Sequence, residues 1–100
     1  MPILIHFGRS NREGKKYVAV FKNPSKTIHF GQDISTTYVE GGGEEKRKNY
    51  LLRHRVNEDW TKINAGSLSR WILWGDSTSV KKNLRDYIKR YGIEDNRKKY

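Results

Sequence analysis

Apolar positions alternate through the first third of the chain and recur at helical spacing after it. Pro2–Phe7 sets Ile3, Ile5 and Phe7 on one side and Leu4 and His6 on the other, the period-two pattern of a short strand. Residues 15–23 repeat it, with Tyr17, Ala19 and Phe21 opposed to Val18 and Val20. Asn23-Pro24-Ser25-Lys26 predicts a turn, since proline presets φ and Asn and Ser bond their own backbone. Residues 27–31 return with Ile28 and Phe30 on one face, so a hairpin is expected. Ile34 to Val39 is rich enough in β-branched residues for a further short strand. Gly41-Gly42-Gly43 then reads as a hinge.

From residue 44 the period changes. Residues 44–56 predict a helix with Glu44 and Glu45 in the first turn and cations after them, the order the helix dipole favours. Leu51, Leu52 and Val56 form its apolar stripe, which leaves Arg47, Tyr50 and His54 on the opposite side with Lys46 and Arg53 beside them. Residues 65–75 are the expected nucleus of the core, holding Trp71 and Trp74 with Leu68, Ile72 and Leu73. Leu68, Trp71 and Ile72 recur at i, i+3 and i+4, with Ser67 placed to cap the first turn and Gly75 to end the helix in the left-handed conformation. Asp76-Ser77-Thr78-Ser79 supplies caps for a clear amphipathic helix carrying Val80, Leu84, Tyr87, Ile88 and Tyr91. Gly92 and Ile93 suit a Schellman end to it, and Asp86 and Arg90 stand at ion-pair spacing. Strands followed by helices predict one α+β domain over residues 1–93, a small antiparallel sheet against two or three helices, with a charged tail over 94–100.

Composition narrows the partners. The chain has 100 residues, and 21 Lys and Arg against 11 Asp and Glu give a formal charge of +10. The tryptophan segment is neutral, so the excess lies on its flanks. An excess of this size in a small domain favours a polyanionic partner, usually nucleic acid and less often an acidic protein or a membrane surface. The absence of cysteine removes disulfides and thiolate metal sites. No apolar run is long enough to span a membrane, and residues 1–7 are too short for a signal peptide.

Catalytic signals are weak. His6, His29 and His54 share no metal-ligand spacing, and the glycine triplet lacks the Lys-Ser/Thr of a phosphate loop. No metal, cofactor or small-molecule substrate is therefore expected, nor an enzyme. One constellation stands out: Arg47, Tyr50, Arg53 and His54 with Glu58. Half-buried structural groups, a phosphate- or partner-binding face, and a phosphoryl-transfer site all use these residue types. Lys46, Arg70, Lys81, Arg85 and Lys89 extend the candidate binding set, and Trp60, Trp71 and Trp74 are candidates for partner docking or core. No base-reading element is present, so nucleic-acid binding would be insensitive to sequence.

The run Phe30-Gly31, then Arg47, Tyr50, Arg53-His54, Glu58 and Trp60, then Gly66–Trp74, with Asp86-Tyr87 and Tyr91 after it, resembles a family of small basic proteins encoded by large nucleocytoplasmic DNA viruses. The similarity spans residues 17–91 and is most specific in the "AGSLSRWILW" block. That family carries no established catalytic role. The resemblance implies a viral setting: the host cell interior before assembly and the virion after it. The first expectation is thus a non-enzymatic, virion-associated structural protein, such as an internal minor capsid or cement component bound to capsid proteins. The alternative is a sequence-independent nucleic-acid-binding protein acting on the viral genome through phosphate contacts.

Overall fold

The computed structural model describes residues 1–32 and 36–97. Four strands, β1 (Ile3–Arg9), β2 (Lys15–Lys22), β3 (Lys26–Gln32) and β4 (Glu94–Asp95), form one sheet in the order β3-β2-β1-β4. Three helices follow β3 in the chain: α1 (Glu44–His54), α2 (Ala65–Leu68), which runs into a π-helical turn over Ser69–Leu73, and α3 (Val80–Arg90). The molecule is an α+β fold. Its first three strands pair antiparallel, while β4 lies parallel to β1, so the sheet is mixed.

The inner face of the sheet carries Leu4 and Phe7 from β1, Ala19 and Phe21 from β2, and Ile28 and Phe30 from β3. The expected alternation of β1 breaks at one point. The register slips between Leu4 and His6, so Leu4 opposes Phe21 while Phe7 opposes Ala19. One extra residue thus turns both side chains inward despite their odd spacing. Against this face pack Leu68, Ile72, Leu73, Leu84, Tyr87 and Ile93, all buried. Gly31 has φ 82°, and a Cβ there would lie 2.7 Å from Leu73 Cδ1, so a side chain is excluded where β3 meets the π turn.

Several local expectations change. The N-cap of α2 is Asn64, whose side chain accepts from Ser67 N–H at 2.8 Å, while Ser67 Oγ accepts from Asn64 N–H at 3.1 Å. Ser67 is therefore the third residue of a capping box. Gly75 is not left-handed: a Cβ there would fall 2.2 Å from the Trp71 carbonyl oxygen and 2.8 Å from Asn83 Cγ, so close approach requires the glycine. Part of the strand expected over residues 34–39 falls on residues 33–35, outside the described ones. Its remainder is a single 3-10 turn, Tyr38–Glu40, because Glu40 accepts from Thr37 N–H at 3.0 Å and pairs with the buried Lys16 at 3.2 Å.

The last helix matches its expectation. Ser79 Oγ accepts from Lys82 N–H at 3.2 Å, Gly92 has φ 62°, and Ile93 N–H donates to Ile88 C=O at 2.9 Å. Asp86, however, pairs with Lys82 at 2.9 Å and not with Arg90. The segment after it is also more structured than a free tail from residue 94 would be. Glu94 N–H donates to Pro2 C=O at 3.0 Å, Asn96 N–H to Leu4 C=O at 2.8 Å, and Arg97 forks onto Asp95 at 2.8 Å. The domain thus continues past residue 93, and residues 98–100 lie outside the described ones.

Candidate phosphate-binding cleft

Helix α1 presents a different face to the domain than its apolar periodicity implies. Tyr50 is buried and Leu51 of the expected stripe packs half-buried against the core, whereas Leu52 is 51% exposed and Val56 74% exposed. The reason is aromatic. Tyr50 lies parallel to Trp74, with ring centroids 4.3 Å apart and an interplanar angle of 6°. The His54 ring stacks on Tyr50 at 4.1 Å. An offset aromatic stack contributes about 1 kcal/mol beyond the apolar area that the two rings bury.

Arg47 fixes the other end of this face. Its Nε donates to the Trp74 and Gly75 carbonyls at 3.2 and 3.0 Å, and a terminal nitrogen meets Asp76 at 2.9 Å. It closes the carbonyl end of the π turn, a structural use of a residue expected to bind phosphate or a partner. Arg70 is similarly engaged. It donates to Trp74 C=O at 3.0 Å and lies 3.9 Å from the Trp71 centroid, with Arg90 at 3.6 Å from the same ring. Burial, with the charges of Arg47 and Arg90 nearby, depresses the Arg70 pKa. Trp74 is buried, Trp71 is half-buried beside the Arg70 and Arg90 guanidinium groups, and Trp60 is half-buried with its Nε1–H on Glu58.

The remaining members of the constellation come together. A cleft of about 270 Å³ opens between the end of β3, the last turn of α1 and the start of α2. Its lining includes Lys15, Tyr50, Arg53, His54, Glu58 and Ser69. Glu58 holds His54 Nδ1 at 2.9 Å with one oxygen and accepts from Trp60 Nε1 at 2.8 Å with the other. Both carboxylate oxygens are therefore satisfied from inside the domain, and the imidazole is fixed by its Nδ1 atom. Tyr50 bonds Ser69, and burial, reinforced by the Glu58 charge, raises the phenol above its ordinary range so that it stays protonated.

Arg53 and Lys15 are the cations of this cleft, and neither meets a carboxylate among the described residues. Arg53 was legible in the helical spacing. Lys15 was not, because only the pairing of β2 with β3, Lys15 opposite Gln32, carries it to the cleft. Ser69 is placed by the π turn, where Trp74 N–H reaches back five residues to Ser69 C=O at 3.0 Å, and no sequence signal marks it. Lys46 is exposed on α1, and Lys81, Arg85 and Lys89 are exposed on α3; none of these lines the cleft.

A model described as a family of unknown function, DUF5754, matches residues 5–54, half of the chain. The chain belongs to this family. The matched stretch runs from β1 to the end of α1, so Lys15, Tyr50, Arg53 and His54 fall within it, while Glu58 and the tryptophan segment lie beyond. No curated protein and no solved structure matches the chain. Among the described residues, no helix is long and apolar enough to cross a membrane, and no cluster of three or more His, Asp and Glu stands ready for a metal ion.

Proposed function

We propose that the protein binds nucleic acid without enzymatic activity and without reading sequence, by contacts to phosphate, and that its setting is the particle or genome of a large double-stranded DNA virus. The observation that carries this reading is how the charges are disposed. Glu40, Glu58, Asp59, Asp76, Asp86 and Asp95 are each held by a partner within the chain. Outside the cleft, Arg12, Lys46, Lys48, Arg55, Lys81, Arg85 and Lys89 are exposed and meet no carboxylate within ion-pair distance among the described residues. These six acidic groups are engaged within the fold, while the larger basic set stays at the surface, where it displaces counterions from a polyanion. The viral setting rests on the family resemblance of the sequence.

The test is binding of labelled duplex and single-stranded DNA across a salt series. Roughly five phosphate contacts give a log–log slope near −4.5 for duplex, with little dependence on sequence. Replacing Lys46, Lys48 and Arg55 together with Ala flattens that slope by about three. Absence of binding at low salt overturns the proposal.

One observation favours a second reading, a minor capsid or cement protein. Leu52 and Val56 stand exposed four residues apart, flanked by Lys48 and Arg55, a small apolar anchor with a basic rim. On this reading the partner is an acidic capsid protein, and the Leu52→Glu variant is lost from particles while its DNA binding is unchanged.

A further inference from the structure

We infer that the cleft between β3, α1 and α2 is a site for a phosphomonoester, distinct from the exposed cations that contact the diester backbone. The inference rests on the nucleic-acid reading for its biological source but not for its chemistry. Four features of the cleft carry it. Arg53 offers a planar pair of N–H donors and Lys15 a point charge, both without a carboxylate among the described residues. His54 is held at Nδ1 by Glu58, which leaves its other ring nitrogen for a ligand. Glu58, the acidic group in the lining, has one oxygen on His54 and the other on Trp60. The aromatic surfaces are used internally, Tyr50 lying between Trp74 and His54.

These features select for charge and against bases. Tyr50 is closed to a stacking base, because Trp74 and His54 already lie against its ring. A phosphomonoester carries nearly two negative charges at neutral pH and three terminal oxygens, matching donors contributed by two separate elements. A backbone diester carries one charge and must continue in both directions. A volume of about 270 Å³ lies at the lower end of small-ligand sites and suits a terminal group better than a passing strand. The ligand is therefore either the 5′-phosphate of a nucleic-acid strand or a free nucleoside monophosphate.

The experiment compares one single-stranded oligonucleotide with a 5′-phosphate and with a 5′-hydroxyl, and adenosine monophosphate with adenosine, on the full chain. Affinity gives one readout. The indole N–H resonance of Trp60, whose nitrogen bonds Glu58 at 2.8 Å, gives a local one. We expect the phosphorylated strand to bind roughly tenfold tighter than its hydroxyl counterpart and to shift the Trp60 resonance. Arg53→Ala and, independently, Lys15→Ala remove that preference, and Arg53→Lys restores part of it. A Trp60 shift with adenosine monophosphate but not with the phosphorylated strand keeps the site and identifies a free nucleotide as its ligand. Equal affinity for the two strands, with no Trp60 shift from adenosine monophosphate at millimolar concentration, overturns the inference while leaving salt-dependent DNA binding intact. If the hydroxyl strand fails to bind even at low salt, the wider nucleic-acid reading falls, and adenosine monophosphate against adenosine still decides the cleft.

Discussion

Arg47 shows how far residue type underdetermines role. By spacing it belongs with Tyr50, Arg53 and His54, yet its guanidinium is turned onto the Trp74 and Gly75 carbonyls and Asp76, and only Arg53 and His54 of that group remain for a ligand. Arg47→Ala is expected to cost about 2 kcal/mol in urea unfolding by leaving part-buried carbonyls short of donors, with no loss of phosphomonoester preference. Gly75 is a sharper case. Gly75→Ala brings a methyl group to 2.2 Å from a backbone oxygen, which cannot move cheaply, and should cost at least about 2 kcal/mol. The two buried phenols make a third prediction. Burial raises the pKa values of Tyr50 and Tyr87, so the unfolded chain gives up these protons first. Their contribution to stability is complete below the ordinary phenol range, near pH 10, and fades as pH rises through and above it. In a spectrophotometric titration both ionise after the exposed tyrosines, together with alkaline unfolding.

At the scale of elements, what could be read ahead was whatever its own residues determine. For α3 the cap, stripe and terminating glycine all agree, and β2 and β3 alternate cleanly, so their positions followed from pattern alone. The orientation of α1 did not. Its aliphatic stripe is the more apolar face by sequence, yet Tyr50 is the residue buried, drawn in by its stack on Trp74, more than twenty residues away. The slip in β1 and the π turn are hidden for the same reason, since each is set by the element it packs against. A direct consequence is that Leu52→Glu and Val56→Lys, which would ruin a core stripe, should change stability by no more than about 0.5 kcal/mol. Thermal unfolding checks this. A large loss would mean that Leu52 and Val56 pack against the domain after all. For the cleft, Tyr50, Arg53, His54 and Glu58 were recognisable as a group, while Lys15 and Ser69 arrive only through strand pairing and the π turn.

Taken as a whole, the molecule uses opposite charges for different purposes. Acidic side chains tie loops and helix ends together, as Glu40 does with Thr37 and Lys16, while basic side chains cover the outside. Adding salt should therefore abolish DNA binding long before it affects folding, and the two midpoints can be measured on one sample. The family match ends with α1, where half of the cleft has been supplied, and the other half comes from the segment that follows it.

The parallel strand β4 adds a matter of timing. β1, β2 and β3 are neighbours in sequence and can pair as soon as they leave the ribosome, but the outer edge of β1 is closed by Glu94–Asp95. A nascent chain stopped before residue 94 has its first strand made and the carbonyls of Pro2 and Leu4 still without their donors. Completion of the sheet thus waits on a strand that lies about sixty residues after β3 in the chain. Until residues 94–96 dock, that edge stays open to pairing with a strand of another molecule.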